Sequence, residues 1–483
     1  MAIQVNGTTV INNSRALTNI TSVDATTAAA IGNAGVGGGG SIELVADGSI
    51  SAGDPVGITS TGKVKTVSAV ESNEVNILST NGASVEDIKV ISSDKFIVLY
   101  RNNQDYHVRM RIGTISGSSV TWGTEKNTGI SMGYVKIAVD QANSSFCLYF
   151  RYEAASYRGY AMAGTWSGTT ISTGSTSFVS NQNGQYNHNI EFISSGKYMS
   201  VSSGNPDYHI ITTSGTSVTN VNTYYSGGYS ISTVRDDDFN HIGSGIVIHN
   251  TGSYFSGWHR INGSGSSISS FAYNNNQTGG WDRMGAWYDT TNNYYVRMVT
   301  DAGACRIETW NVSNSNPANW SEVDTYTLAG GGYVWLSGEY LGSGVGVFTH
   351  KGPNADTLGV QKVTVDSSGN IFAGSVVSTS IDNEVEKSTY CNGSLVLPYK
   401  NSDNALKLRL VSLNSTYFGL IGLSEGNYSN GQTATITVTS GENASQSGLT
   451  IGQAYGVALN GTLTAGTTPT LGVATSTTKL LLT

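Results

Sequence analysis

The sequence predicts an all-β fold: a seven-bladed β-propeller inserted into a small composite β domain, preceded by an extended N-terminal anchor. Three observations predict it. First, six or seven weakly similar stretches of about fifty residues run from roughly residue 75 to residue 414, a period that marks propeller blades. Each reads as short strands closed by an S-G-x-S type turn, as in "GTISGSSVTWGT" (113–124), "GTWSGTTISTGS" (164–175), "TTSGTSVTNVNT" (212–223) and "INGSGSSISSFA" (261–272). The turn glycines fall at Gly117, Gly168, Gly215 and Gly265, and after a longer equivalent around Asn316 the series resumes at Gly369. Second, 60 glycines, 26 tyrosines and abundant Ser, Thr and Asn suit pleated surfaces and tight turns, while helical periodicity is confined to "ATTAAAIG" (25–32). Third, the last stretch offers three strands where four are needed, and "EVNILS" (74–79) is an unpaired strand just before the first stretch. Supplying that strand to the last blade closes the ring, which isolated blades require because none can bury both faces alone.

Residues 1–40 read as an attachment and oligomerisation segment. Its apolar residues Ile3, Val5, Val10, Ile11, Leu17, Ile20 and Val23 are too few to form a core, so association with copies of itself or with a larger assembly is expected. The run Gly37 to Gly40 then reads as a flexible joint. Residues 41–74 hold strand-like runs broken by "ADGS", "AGDP" and "STGK", and residues 415–483 have the same texture. Neither piece is long enough to stand alone, so one composite β domain is expected, with the repeat array of 75–414 inserted between its halves. Because the chain would enter on an outer strand and leave on a third strand, both tethers would lie on one face of the ring. The opposite, distal face would be free for contact.

That distal face is expected to carry the loops between second and third strands and the blade-to-blade connections. Aromatic, amide and guanidinium side chains recur there, and such groups stack on sugar rings or pack into protein pockets at low rotamer cost. The candidate ligand-binding residues are Tyr106 and His107; Arg151, Tyr152, Tyr157 and Arg158; Tyr186; Tyr208 and His209; Tyr229; and Tyr254, Trp258 and Trp281. Trp258 and Trp281 are expected in loops, whereas Trp122, Trp166, Trp287 and Trp310 fall on strand-like runs and are expected to pack between blades.

Charge narrows the partners. A formal net charge of −8 with no long basic run argues against nucleic acid, and charged residues make up only 12 %, leaving a surface of hydroxyl, amide and aromatic groups. No stretch approaches the roughly 20 apolar residues of a membrane span, and no secretory signal pattern opens the sequence. Cys147, Cys305 and Cys391 lie in separate repeats without metal-ligand spacing and are expected to be buried thiols. Asp236, Asp237 and Asp238 suggest a calcium loop, but alignment with Asp140 and Asp289 places them at the turn after an innermost strand. No cofactor and no metal are expected.

Both ends carry a resemblance. "GTTVINNSRALTNITSVDATTAAAIG" (7–32) resembles the attachment segment of tail-fibre and other virion structural proteins of tailed bacteriophages, particularly marine and cyanobacterial phages, and "QSGLTIGQAYGVALNGTLTAGTTPTLGVATSTTKLLL" (446–482) resembles a small β domain of the same group. The texture "FIVLYRNNQDYHVRMRIGTISGSSVTWGT" (96–124) is similar to propeller repeats in those proteins. The resemblance implies a virion component, commonly a homotrimer, joined to other virion proteins through its N-terminal segment and displaying a binding head. A tail fibre that recognises a host-surface glycan or protein is the leading expectation; a capsid-bound head fibre or decoration protein and a surface-polysaccharide depolymerase are the alternatives. An enzyme is not expected. The sialidase turn S-x-D-x-G-x-T-W loses its acid in "SGSSVTW", and although Arg101, Arg151 and Arg158 with Glu153 could sit together on the distal face, paired carboxylates at glycosidase separation are not readable from the sequence.

Overall fold

The computed structural model describes residues 3–5, 8–11 and 40–483 except 60, 68–70, 79–82, 103, 153–154, 156–157, 181–187, 203–206, 226–238, 243–244, 250–257, 264–267, 273–282, 302–303, 313–319, 329–333, 352–356, 382–384, 386, 414–419, 459–460 and 467–469. The chain is all-β, with no α-helix among the described residues. It divides into two compact units, Ser72–Ser412 and the pair of segments Met1–Glu71 and Leu413–Thr483.

The two-segment unit builds one five-stranded sheet from both ends of the chain. Its order is Ser41–Val45, Thr433–Thr437, Leu420–Ser424, Pro55–Ile58, Val64–Thr66, so strands more than 350 positions apart in sequence pair at two places in it. Ala46, Ile50, Val56, Val64, Ala434 and Ile436 form its core. A second five-stranded sheet uses only residues 442–482 and packs Leu449, Tyr455, Leu480 and Leu482 against Leu423 of the first. Gly40 does not belong to a flexible joint: it is buried, its carbonyl accepts from Val438 N at 2.7 Å, and a Cβ there would lie 2.1 Å from the Gly441 Cα. At φ 69° only glycine lets these two backbones meet. Ile3, Val5, Val10 and Ile11 fall on a short hairpin, Ile3–Val5 with Thr8–Ile11, while Leu17, Ile20, Val23 and Gly37 to Gly39 lie outside the described residues.

In the larger unit the repeat becomes seven antiparallel four-strand sets among the described residues, here sheets I to VII. Sheet I comprises Ala83–Ser92, Lys95–Asn102, His107–Ser116 and an outer strand in two pieces, Ser119–Trp122 and the start of Lys126–Asp140. That 15-residue strand then continues as the first strand of sheet II, with Ser145–Tyr152, Arg158–Ser167 and Thr170–Ser180. Sheets III (His188–Tyr225), IV (Phe239–Ala272), V (Arg283–Leu328) and VI (Val334–Ser378) follow the same plan. Sheet VII has Thr389–Cys391, Ser394–Lys400 and Leu406–Ser412, and its fourth strand is Val75–Leu78 from the other end of the unit, paired Leu408↔Val75 and Leu406↔Leu78. Each first strand packs beside the first strand of the next sheet, and Thr389–Cys391 packs beside Ala83–Ser92.

Alternation sends half of each strand's side chains to each face, so the cores lie between sheets. One cluster joins sheets I and II through Leu99, Met110, Ile137, Phe146 and Phe150. Another joins sheets VII and I through Ile77, Phe96, Tyr100, Val396 and Leu408, and others join II to III and V to VI. Cys147, Cys305 and Cys391 are buried free thiols in three of these cores, and burial pushes the Cys305 and Cys391 thiols up to about 12 and about 11. Gly117, Gly168 and Gly215 close third-to-fourth strand turns with φ of 58°, 59° and 58°, the conformation that places glycine in the repeated turn.

Asp140 and Asp289 are buried at the end of first strands and hold the turns that follow. Asp140 accepts from Asn143 Nδ2 at 2.8 Å and from Gly196 N of sheet III at 3.0 Å; Asp289 accepts from Asn292 Nδ2 at 2.8 Å and from Tyr340 Oη of sheet VI at 2.7 Å. Asp236, Asp237 and Asp238 lie outside the described residues.

Candidate functional site

The residues most suited to recognition gather where the second strands of sheets I and II end and their third strands begin. The segment between Asn102 and His107 is fixed by its own polar groups. Tyr106 N donates to Asn102 O at 2.7 Å, Gln104 N to Asn102 Oδ1 at 2.9 Å and His107 N to Asp105 Oδ1 at 3.0 Å. These bonds hold Tyr106 at φ 57° with its ring 51 % exposed. Tyr134 also has a positive φ, 52°, and is 37 % exposed, where the register of Lys126–Asp140 shifts between Gly133 and Lys136 as that strand passes from sheet I to sheet II. Ser131 faces His107 and Gly133 faces Arg151 in the two ladders, so the tyrosines occupy one stretch of rim.

Each exposed ring has a guanidinium beside it. Arg101 Cζ lies 6.0 Å from the centroid of Tyr106 and Arg151 Cζ 4.7 Å from that of Tyr134, and the two arginines hold matching positions in "LYRN" and "YFRY". Glu86 joins the pairs: its Oε1 is 3.4 Å from Arg101 Nε, and its Oε2 accepts from Val135 N at 3.4 Å. Burial raises the Glu86 carboxyl above the ordinary glutamate range, against the opposing pull of Arg101 and Lys136. On the flank, Arg109 Nη2 is 2.6 Å from Asp105 Oδ2 and its Nε 3.4 Å from Glu125 Oε1, and Glu125 also accepts from the buried Tyr100 hydroxyl. Burial, then Glu125, raises the Tyr100 phenol.

Aromatic side chains continue this edge across sheet II. Tyr152 and Tyr160 meet edge to face with centroids 5.2 Å apart, and Tyr160 meets Phe178, which is 45 % exposed, at 5.6 Å. Of the residues expected from sequence, Tyr106, His107, Arg151, Tyr152 and Arg158 are therefore brought together, with Arg158 exposed opposite Tyr152 in the ladder. Tyr157, Tyr186, Tyr229, Tyr254 and Trp281 lie outside the described residues, as does Glu153.

The expectations for His209, Tyr208, Trp258 and Trp310 need correction. His209 is not a loop residue: it sits on Asp207–Ser214, is fully buried beside the Tyr149 ring at 6.4 Å, and has Nδ1 3.1 Å from Thr223 Oγ1. Burial pulls its pKa down to about 4, so it is neutral at physiological pH and faces core. Tyr208 and Trp258 also belong to strands, Trp258 pairing with His249, because ladder pairing extends further toward the loops than the sequence texture suggests; their side chains lie outside the described residues. Trp287 stacks on Tyr340 of the next sheet at 5.5 Å, whereas Trp310 lies against Arg297 of its own sheet at 5.1 Å. Trp122 and Trp166 are half-buried against cores shared by neighbouring sheets.

Tyr134, Tyr160, Phe178 and Glu86 were not expected at a site. Tyr134 carries a weak signal, since "SMGYVKI" interrupts strand alternation; the other three sit in runs indistinguishable from core strands. Among the described residues, no three His, Cys, Asp or Glu side chains converge as a metal site would. The rim can stack, donate and accept, and its carboxylates are engaged with arginines.

Solved structures similar to the chain include β-propellers. A β-propeller domain from Myceliophteria thermophila matches at 9 % identity over 70 % of this chain and 99 % of its own, with a TM-score of 0.43. A protein from Lactobacillus plantarum matches at 12 % over 68 % and 95 %, TM-score 0.46, and the Dos1 propeller at 10 % over 72 % and 95 %, TM-score 0.41. Identities and scores this low transfer no ligand, activity or partner to this chain. No protein-family model and no curated protein matches it.

Proposed function

We propose that the chain is a virion structural protein of the tailed-phage kind, a tail fibre or receptor-binding protein whose seven-bladed β-propeller recognises a host-surface glycan or protein without covalent chemistry. The observation that carries recognition is the pair of exposed tyrosines, Tyr106 and Tyr134, held in left-handed backbone beside Arg101 and Arg151. Non-glycine residues in that conformation cost about 1–3 kcal/mol each, and such positions cluster at binding sites. Support for a closed seven-bladed ring comes from the seven four-strand sets, the completion of the last by Val75–Leu78, and the core shared by sheets VII and I.

The attribution to a virion rests on the resemblance of segments 7–32 and 446–482. In this reading the N-terminal segment joins neighbouring virion proteins and self-associates, giving a homotrimer in which several modest contacts act together; avidity then exceeds single-site affinity by about 10²–10⁴. The test is competition: purified chain added to host cells should block adsorption of the phage whose virions contain it, and Tyr106→Ala with Tyr134→Ala should abolish the block. Location on the capsid in a virion reconstruction, with no competition, replaces the tail reading by a head fibre or decoration protein. Release of reducing sugar from host polysaccharide replaces it by a depolymerase.

A further inference from the structure

Beside Tyr106 the arginines are already matched by carboxylates within the protein, and that restricts what this end of the rim can hold. Arg101 faces Glu86, and Arg109 is shared between Asp105 and Glu125 at 2.6 and 3.4 Å. A surface made for an anion leaves guanidinium donors for the ligand, since a bidentate fork is what an anionic group recognises. Here carboxylates occupy those donors, and an incoming anion would meet Asp105 and Glu125, whose side chains are each 35 % exposed. A carboxylate has roughly four acceptor sites, so both retain capacity toward hydroxyl donors from solvent. Beside them stand two exposed aromatic rings that the protein places at a backbone cost, Tyr106 at 51 % exposure and Tyr134 at 37 % with the Arg151 guanidinium 4.7 Å from its centroid.

Aromatic faces next to fixed acceptors, where the adjacent Arg101 and Arg109 are already paired, fit an uncharged polyol with an apolar ring face. We infer that this rim binds a neutral hexose unit of a surface glycan: the C–H face of the sugar stacks on Tyr106 or Tyr134, and a pair of neighbouring hydroxyls donates to Asp105 and Glu125. This rests on the recognition reading above and narrows it to a ligand class. It also accounts for the ladder across sheet II, where half-buried Tyr152 and Tyr160 and exposed Phe178 extend the aromatic strip for further sugar units.

The experiment is calorimetry and saturation-transfer NMR on the full chain with gluco-, manno- and galacto-oligosaccharides as neutral probes and an oligogalacturonate as the anionic one. A neutral probe should bind, with a Kd that changes less than about twofold between about 50 and about 500 mM NaCl, because no net charge is neutralised. Tyr106→Ala or Tyr134→Ala should weaken binding about tenfold, while Tyr106→Phe, which keeps the ring, should retain it. The salt series on the unaltered chain needs no variant to fold. The inference is overturned if only the uronate binds and salt removes it, if no neutral probe binds, or if neutral binding ignores both tyrosine truncations. A chain that blocks adsorption yet binds no neutral sugar would defeat the sugar class and leave recognition standing; a chain that does neither defeats both.

Discussion

At the scale of single residues, one arrangement recurs and explains part of the repeat. A Cβ at Gly113 would lie 2.4 Å from Phe96 Cζ, and one at Gly164 would lie 2.1 Å from Phe146 Cζ, so in each sheet a second-strand ring lies flat over a third-strand glycine. These glycines open "GTISG" and "GTWSG", where the sequence alone shows turn texture without revealing that the first glycine makes room for a ring. Gly164→Ala should therefore lower stability by about 1–3 kcal/mol through overpacking, read from the urea midpoint; a neutral result would mean that Phe146 can move aside. Sheet V carries a different residue-scale feature. Arg297 is fully buried, with Nε 2.8 Å and Nη2 2.7 Å from Glu308 Oε2, which also accepts from Trp310 Nε1 at 3.1 Å. Glu308→Ala removes the carboxylate from a buried guanidinium and should cost about 3–5 kcal/mol, whereas Arg297→Met with Glu308→Leu should recover most of that loss. If the double variant is as unstable as the single one, packing and not charge sets the cost. Nothing in "YVRMVT" or "RIETWN" distinguishes this pair from surface charges, because its burial depends on pairing across strands.

At the scale of elements, the strand Val75–Leu78 is the most consequential, and it was legible in the sequence as a strand without a neighbour. Its fastening was not, because the partners lie more than 320 positions away. Tyr399 Oη donates to Glu74 Oε2 at 2.6 Å, Lys407 Nζ is 2.7 Å from Glu74 Oε1 and 2.7 Å from Asn76 Oδ1, and Leu410 N donates to Ser72 Oγ at 2.9 Å. Hydrogen bonding from Lys407, then from Tyr399, holds the Glu74 carboxyl below the ordinary glutamate range. A folded-state pKa lowered in this way adds stability that is fully present above the ordinary value and is lost as pH falls through the lowered one. Acid should thus release this strand before the rest of sheet VII, seen as earlier loss of amide-exchange protection at Val75–Leu78. Because the pair is partly exposed, the effect is only about 0.2–1 kcal/mol. In Glu74→Gln the acid dependence of these amides should vanish, and its persistence would assign it to another group. The shared strand Lys126–Asp140 shows the opposite limit of legibility: its apolar alternation is readable, but the register shift that exposes Tyr134 comes from serving two sheets at once.

At the scale of the whole larger unit, charges from non-adjacent sheets meet at its first strands. Lys89, Glu191 and Glu339 hold matching register positions, opposite Ile97, Met199 and Val347 in sheets I, III and VI. Burial pulls the Lys89 ammonium pKa down, yet Glu191, Asp87 and Glu339 together raise it above the ordinary lysine value, with Lys387 of the sheet VII segment opposing them. Sheets I, III and VI are not neighbours, but their first strands belong to one cycle of contacts that runs from Ala83–Ser92 round to Thr389–Cys391. In the sequence these residues are isolated charges on apolar strands, and only the tertiary arrangement of those strands brings them within range of one another. Lys89→Met removes that ammonium from beside Glu191, Asp87 and Glu339. A folded-state lysine pKa raised in this way adds stability that is fully present below the ordinary value and is lost as pH rises through the raised one, so the variant's deficit should be full at neutral pH and should narrow in base. Urea midpoints of both proteins at pH about 7.5 and about 11 check this, with an expected deficit of about 1–3 kcal/mol at the lower pH and a smaller one at the higher. A deficit equal at both pH values would mean that the lysine stem, through its packing, and not its charge, joins the sheets.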